Sequence, residues 1–263
     1  MIRRAVVRAA LGAAVAAGAL AGCGTGPETI GPTGVDELVV PSPSPDAADF
    51  VADVDNVWWP LVGGSTATYD DGTGRLLVRT VAAAPEVVGG VPAVAVRTEA
   101  VATTWSGEAL PAPVTEWFAQ DRRRNVWLVG GTLADGSRWE AGTDGAAAGL
   151  AVTGTPRTGD GYVRRETPRL PDVRVRVLEV GETTSIGGEE LETALLEVTT
   201  EGASGSETDL RTPPTGSAAE SATGTGGATG RPRAAQVDEE VLVRGLGPWS
   251  FTSLGATWTL VVP

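Results

Sequence analysis

Short apolar segments separated by glycine-containing turns recur along this chain from residue 56 onwards. Val173–Val177 shows the pattern most clearly, because its three valines alternate with Arg174 and Arg176 at a period of two. The separators are Gly-Gly and Asp-Gly pairs, such as Gly187 and Gly188, which suit tight hairpin turns. In this part of the sequence no apolar stripe of helical spacing extends over three turns. The pattern predicts an all-β, mainly antiparallel fold, a single curled sheet that is half-barrel or barrel-like.

The strand pattern assigns the following segments to the sheet: residues 76–80, Val91–Val101, Val114–Gln120, Asn125–Gly131, Val173–Val177, Leu191–Thr200, Val237–Arg244 and Thr257–Val262. Further turns are expected at Asp70–Gly74, at Gly89–Gly90, and at the Asp-Gly pairs of residues 135–136, 144–145 and 160–161. The segment that follows residue 236 is too short to fold alone, so one domain is predicted.

Two segments differ in composition from this strand-rich part. Pro41–Pro45 reads PSPSP within a stretch with few large apolar residues, and residues 201–236 consist mostly of Gly, Ser, Thr, Ala and Pro. Such segments cannot bury enough apolar surface to offset the entropy of ordering. We therefore predict a flexible tether over residues 23–55 and a β domain over residues 56–263, with a disordered insert at residues 201–236.

The N-terminus has the layout of a secretory signal. Three arginines within the first eight residues precede Ala9–Leu20, an uncharged run of Ala, Leu, Val and Gly. This run is shorter than the ~20 strongly apolar residues that a spanning helix requires. Residues 1–22 are therefore predicted to be a signal peptide that is removed.

The sequence Leu20–Cys23 (LAGC) resembles the bacterial lipobox, and Cys23 is the only cysteine of the chain. The resemblance implies cleavage between Gly22 and Cys23 and a diacylglycerol anchor on the Cys23 thiol, with palmitate-type acyl chains. Two or more acyl chains hold a protein stably on a bilayer. The expected location is the extracytoplasmic face of the cell membrane, and the alternative is an ordinary secretory signal with an incidental cysteine.

Composition excludes several kinds of function. All 20 basic residues are Arg, and the chain has no His, so catalytic triads of the usual kind, Schiff-base lysines and P-loops are absent. A single cysteine excludes an intrachain disulfide and cysteine-rich metal sites. The net charge of −13 argues against nucleic acid as a partner. No cofactor and no metal site are predicted.

Carboxylates are the main catalytic groups that remain. Asp238 and Glu240 could share one face of a strand, although charged residues on the solvent face are the ordinary pattern for an acidic protein. Two carboxylates suffice for glycoside hydrolysis. A carboxylate-based hydrolase acting on cell-wall glycans is therefore the alternative function from the class of enzymes.

Tryptophan is unusually frequent, with eight residues against three Phe and two Tyr. Most of these rings are expected to fill the core between small residues. An aromatic groove for a lipid or a sugar is the functional alternative, with Trp117, Trp127, Trp139 and Tyr162 as candidate ligand contacts. The basic triplet Arg122–Arg124 is a candidate docking point for an acidic partner protein, against the simpler interpretation of a solvated hairpin tip.

A set of motifs is similar to uncharacterised actinobacterial lipoproteins with a TapB-like domain of unknown function. The motifs are Trp59–Ser65 (WPLVGGS), Trp117–Asp121 (WFAQD), Asn125–Leu128 (NVWL), Trp139–Gly149 (WEAGTDGAAAG) and Gly159–Tyr162 (GDGY). The basic turn at residues 122–124 and the sequence of residues 241–247 depart from the family's pattern. The resemblance implies a curled antiparallel sheet and carries over no catalytic residues.

These observations predict a non-enzymatic, lipid-anchored envelope protein. Its sheet is expected to bind a hydrophobic ligand or a partner protein outside the cytoplasm. The wall-glycan hydrolase and a purely structural surface spacer are the alternatives. A cavity lined by the tryptophans would favour ligand binding.

Overall fold

The computed structural model describes residues 46–101, 111–133, 135–201 and 235–262, together with the backbone of residues 38–39. The signal peptide, Cys23, most of the tether and most of the insert lie outside these residues. The described part holds no α-helix, only a single 3-10 turn at Ala47–Asp49. The strands are β1 (Leu38–Val39), β2 (Phe50–Val51), β3 (Thr66–Asp70), β4 (Leu76–Val81), β5 (Glu86–Val88), β6 (Val91–Val101), β7 (Val114–Asp121), β8 (Val126–Thr132), β9 (Arg138–Glu140), β10 (Gly149–Val152), β11 (Asp160–Thr167), β12 (Leu170–Ile186), β13 (Glu189–Thr200), β14 (Gln236–Val243), β15 (Gly247–Ser253) and β16 (Ala256–Leu260).

All sixteen strands belong to one sheet. Its main path runs β1-β11-β12-β13-β14-β15-β16-β3-β4-β6-β7-β8-β10, while β2, β5 and β9 pair with β7, β6 and β8 beside it. Among the described strands only β1 and β11 pair in parallel. The predicted all-β, mainly antiparallel fold is confirmed.

The two ends of this sheet lie side by side, which requires the sheet to curl. The amide of Ala147, just before β10, donates to the carbonyl of Glu166 on β11 at 3.2 Å, and the two residues form an isolated bridge. The Arg164 guanidinium donates to the Ala151 carbonyl at 3.2 Å. A Cβ at Gly149 would overlap the Arg164 carbonyl, so glycine permits this close approach. The ends touch without a continuous ladder, so the sheet is barrel-like but not closed.

Side chains alternate between the inside and the outside of the curl, as the pleat of a strand requires. On β12 the residues Val173, Val175 and Val177 are buried, while Arg174 and Arg176 are exposed and pair with carboxylates on the outside. The predicted period of two is therefore confirmed for this strand. Its valine face points into the molecule.

The packed part of the chain begins earlier than the predicted boundary at residue 56. Phe50 and Val51 pair with β7, and Val54 is buried and bridges to Leu61. The predicted tether of residues 23–55 therefore ends in residues that belong to the folded body. Phe50, Val51 and Val54 are isolated apolar residues in a polar sequence, so composition gave no signal for this packing.

A buried asparagine fixes the segment that follows. The Asn56 side-chain amide donates to the carbonyls of Arg124 (2.6 Å) and Thr153 (3.3 Å), and its side-chain oxygen accepts the Trp58 amide at 2.7 Å. Its own backbone amide donates to the Gln120 side chain at 2.8 Å. These bonds hold the chain across one end of the curl and set the positions of the two tryptophans that come next.

Three two-residue hairpin turns have left-handed backbone at both positions. Gly89–Gly90 joins β5 to β6 with φ of 59° and 82°, and Gly187–Gly188 joins β12 to β13 with φ of 61° and 88°. Both are positions that glycine occupies without strain. The third turn is Leu254–Gly255, with φ of 53° and 71°, and there a leucine adopts the strained conformation.

Candidate functional site

The curled sheet surrounds a cavity of about 380 Å³. Its walls are formed by inward-facing residues of β4, β6, β7, β8 and β11 to β15, and Trp59 from the loop before β3 also lines it. This volume falls in the lower part of the range that small-molecule sites occupy, roughly 300–1,000 Å³. The cavity is therefore large enough for a small ligand.

The cavity is buried at one end and reaches solvent at the other. Trp59, Phe118 and Leu128 form its floor, and each of them is almost fully buried. Val114 and Leu254 line its rim, where they are 45% and 51% exposed. The rim therefore gives a ligand access to the floor of the cavity.

Trp59 is the central aromatic residue of the floor. The Asn56 network places it, and its ring lies 5.5 Å from that of Phe118 at an angle of 48°. The guanidinium carbons of Arg79 and Arg164 lie 5.6 and 5.5 Å from its ring centroid. The indole N–H is buried and has no acceptor among the described residues. Trp59 therefore combines an apolar face, two neighbouring cations and an unused donor.

A buried ion pair lies in the wall beside this floor. Arg164 Nη1 approaches Glu240 Oε2 at 2.6 Å, with side chains that are 15% and 6% exposed. Arg164 Nε is buried and has no hydrogen-bond partner among the described residues, so the Nη1 contact carries the pair. Burial, the largest influence, acts to lower the pKa of Arg164, but the carboxylate of Glu240 opposes it through its charge and a hydrogen bond, and the pKa is raised. Arg164 is therefore a permanent cation.

Two consecutive arginines of β11 reach the cavity. Arg164 and Arg165 both line it, although neighbours on a regular strand face opposite sides. The pairing of β11 with β12 shifts register between Val163 and Arg165 and again between Arg165 and Thr167, and such irregularities redirect side chains. Burial lowers the pKa of Arg165, whose Nε donates to the Pro171 carbonyl at 3.2 Å. The register shifts thus bring two consecutive guanidiniums to the wall of one cavity.

Asp238 and Glu240 do share one strand face, and that face is the inner one. Both line the cavity, and Glu240 is buried against Arg164. The ordinary expectation of a solvent face for such charges is therefore wrong here. Glu240 can face the inside because β14 lies opposite β11. The guanidinium of Arg164 on β11 compensates its charge.

The four predicted ligand contacts are buried outside the lining of this cavity. The Trp127 ring is 0% exposed and donates its N–H to Asp121 Oδ2 at 3.0 Å. Trp117 donates to the Glu86 carboxylate and carries the Arg138 guanidinium carbon 4.0 Å from its ring centroid. These two tryptophans are therefore engaged by partners within the protein.

The other two candidates are enclosed in the same way. Trp139 packs against Gly131, where a Cβ would clash with its indole. Burial raises the pKa of Tyr162, whose hydroxyl lies 3.4 Å from the Ala151 carbonyl at the junction of the sheet ends. Ligand contact by these four residues stays a prediction, and the described cavity is lined by Trp59 instead.

The basic triplet lies where the sequence placed it, at the turn between β7 and β8. Arg122 and Arg123 are exposed, and Arg124 has a left-handed backbone with φ of 67°. Arg124 pairs with Asp55 at 2.7 Å between two exposed side chains. Surface pairs of this kind contribute little to stability, so the triplet is free to face a partner. Docking at this position stays a prediction.

Sequence reasoning missed Trp59, Arg79, Phe118 and Arg164 as site residues. Arg79 follows Leu77 by two residues on β4, so the period of two places both side chains on one face of the strand. The period does not show which face of the strand is inside the curl. From the sequence, the alternation of a regular strand predicts that one of Arg164 and Arg165 faces inwards and the other outwards. Only the register shifts of β11 explain why both line the cavity. Trp59 is the one of these residues that the sequence marked, because it begins the motif Trp59–Ser65 that resembles the family pattern.

Neither a metal-binding cluster nor a membrane-spanning helix is found among the described residues. No group of three or more Asp, Glu, Cys or His side chains there is arranged to hold a metal ion. None of the helical structure in these residues has the length and apolarity of a membrane span.

Comparisons with family models, curated proteins and solved structures gave no match. The resemblance to actinobacterial lipoproteins therefore stays a prediction.

Proposed function

We propose that this protein is a non-enzymatic ligand-binding lipoprotein on the extracytoplasmic face of the cell membrane. The observation that carries the proposal is the cavity of about 380 Å³, which is open at the rim and floored by Trp59, Phe118 and Leu128. Pockets with apolar walls and a few polar groups are the usual form of small-molecule sites. The ligand is a small, largely apolar molecule that enters past Val114 and Leu254.

Binding can be tested with a neutral apolar fluorophore, N-phenyl-1-naphthylamine, and the Cys23→Ala chain, which carries no competing acyl groups. We expect an increase in probe fluorescence that saturates at one probe per chain. Ala100 lines the cavity, so Ala100→Phe in the same background should abolish this signal by filling the space. Ala84→Phe, at an exposed position between β4 and β5, is the matched control and should bind normally. Absence of saturable binding in the control and the parent chain would refute the proposal.

Membrane anchoring rests on Cys23, the single cysteine, at the end of an apolar signal. Replacement of Cys23 by Ala should move the protein from the membrane fraction to the medium, because the diacylglycerol anchor supplies the stable attachment. Immunoblots of membrane and supernatant fractions measure this change. A Cys23→Ala protein that remains in the membrane fraction would contradict the lipobox interpretation. Intact mass with and without the substitution provides the control for acylation.

The wall-glycan hydrolase remains a second candidate because Asp238 and Glu240 both line the cavity. Against it, Glu240 is engaged by Arg164 at 2.6 Å, so only Asp238 of this pair is available to a substrate. Incubation with peptidoglycan fragments separates the two functions. Release of reducing sugars that is lost with Asp238→Asn would favour the enzyme, and unchanged fragments together with probe binding would favour the ligand-binding protein.

A further inference from the structure

Charges of both signs line the cavity. The guanidiniums of Arg79, Arg164 and Arg165 lie among its lining together with the carboxylates of Glu116, Asp238, Glu239 and Glu240. The protein as a whole is strongly acidic, with a net charge of −13. Three guanidiniums around one cavity of an acidic protein are a feature that solubility does not require.

Arg79 is the cation that this interior leaves uncompensated. Among the described residues no carboxylate lies within ion-pair distance of its guanidinium, whose carbon atom lies 5.6 Å from the centroid of the Trp59 ring. Arg164, by contrast, pairs with Glu240, and Arg165 donates to a backbone carbonyl. A guanidinium offers a planar pair of donors that matches a carboxylate or a phosphate. The unused indole N–H of Trp59 adds another donor on the same floor.

The rim has the opposite chemistry, because it presents exposed apolar side chains. Leu254 holds a left-handed backbone with φ of 53° at the tip of the β15–β16 turn, and its side chain is 51% exposed. Non-glycine residues with this backbone conformation are strained and concentrate at functional sites. Val114, on the opposite wall, is 45% exposed. The rim therefore offers apolar contacts to the chain of a ligand.

We infer that the ligand is an amphiphile with an anionic head, a carboxylate or a phosphate, bound with the head on Arg79 beside Trp59 and the apolar chain directed towards Val114 and Leu254. This inference rests on the proposed function and adds the chemical class and the orientation of the ligand. The head replaces water on a guanidinium that has no other anion. The chain contacts the exposed apolar rim residues Val114 and Leu254, and the burial of their side chains favours binding.

Four probes with the same ten-carbon chain test the inference: decanoate, decyl phosphate, decanol and decylammonium. Isothermal titration calorimetry with the Cys23→Ala chain at pH 7 and 0.15 M NaCl measures each affinity, at a salt concentration that screens the net charge of the surface. We expect one or both anionic probes to bind at least tenfold more tightly than decanol and decylammonium. The preferred anion distinguishes a fatty-acid-like head from a phospholipid-like head.

Substitutions locate the head. Arg79→Gln should weaken the preferred anion about tenfold and leave decanol unchanged, since a charge-assisted hydrogen bond is lost while the apolar contacts remain. Arg97→Gln removes an arginine from the neighbouring strand whose side chain is half exposed and paired with Glu99, and should change nothing. Equal or tighter binding of decylammonium, or an unchanged anion affinity in Arg79→Gln, would overturn the inference and leave the proposed function standing. Failure of all four probes and of the neutral fluorophore would overturn both.

Discussion

Replacing Glu240 with Gln should destabilise the folded protein by about 3–5 kcal/mol, because it leaves Arg164 buried without a compensating charge. Arg164 is 15% exposed and Glu240 6% exposed, so water cannot screen the remaining cation effectively. A guanidinium does not lose its proton in proteins, so the variant cannot relieve the unpaired charge by deprotonation. Urea denaturation followed by tryptophan fluorescence measures the loss as a shift of the midpoint.

Two further variants show whether the loss comes from the unpaired charge. The double variant Arg164→Met/Glu240→Leu removes both charges and should recover most of the stability, since apolar pairs can replace buried ion pairs at little cost. Glu197→Gln breaks the pair with Arg176 on the outside of the sheet and should cost at most about 1 kcal/mol. A Glu240→Gln protein as stable as Glu197→Gln would show that water reaches the cavity wall and that Arg164 is solvated.

Ligand binding should change the stability of the Glu240→Gln variant, because the ligand and the Arg164–Glu240 pair share one cavity. Any molecule that binds only the folded protein raises its stability according to its concentration relative to the dissociation constant. If the anionic head occupies Arg79, the same ligand also lies near Arg164, whose guanidinium carbon is 5.5 Å from the Trp59 centroid. An anion there offsets part of the charge that Glu240→Gln leaves unpaired, so decanoate should stabilise this variant more than the parent chain.

Strands with β-branched residues on one face could be predicted from the sequence. Val91–Val101 coincides with β6, and Val114–Gln120, Asn125–Gly131, Leu191–Thr200 and Val237–Arg244 match β7, β8, β13 and β14 within two residues at each end. In these segments the local preference and the tertiary packing favour the same conformation. The glycine pairs at residues 89–90 and 187–188 were predicted as turns for the same reason.

Strands without that composition escaped prediction. β11 begins at Asp160 and Gly161, an Asp-Gly pair that predicts a turn. In the structure these two residues belong to the strand and pair with β1 near the end of the sheet. β15 contains Pro248 and small polar residues, and its turn to β16 places Leu254 in a backbone conformation that favours glycine. Pairing with long-range neighbours outweighs local preference in both strands.

The site depended on information that periodicity does not contain. A period of two shows that Asp238 and Glu240 share a face, and that Leu77 and Arg79 share another, but it does not identify the inside of the curl. The inside became clear only from the meeting of β10 with β11, which are neighbours at the ends of one curled sheet. Register shifts in β11 then placed Arg164 and Arg165 in one cavity. Each of these is a property of the whole sheet rather than of a segment.

Replacing Trp127 with Ala should cost about 3–5 kcal/mol, a loss comparable to that of Glu240→Gln. The ring is fully buried, so its removal leaves a large cavity between small neighbours, and the surrounding sheet can collapse only partly. Its indole N–H also donates to Asp121, a buried carboxylate. Trp249→Ala is the matched control, because Trp249 is only half-buried and should cost clearly less.

The conservative variant Trp127→Phe separates packing from hydrogen bonding and also tests the role of this residue in binding. Phe keeps most of the ring but removes the N–H, and Asp121 retains its bonds from Arg123 and Asn125, so we expect a loss of about 1–2 kcal/mol in urea denaturation. Trp127 does not line the described cavity, so the affinity for N-phenyl-1-naphthylamine should remain unchanged. A lower affinity at unchanged stability would identify Trp127 as a ligand contact and move the binding site from the floor at Trp59 to the packed side of β8.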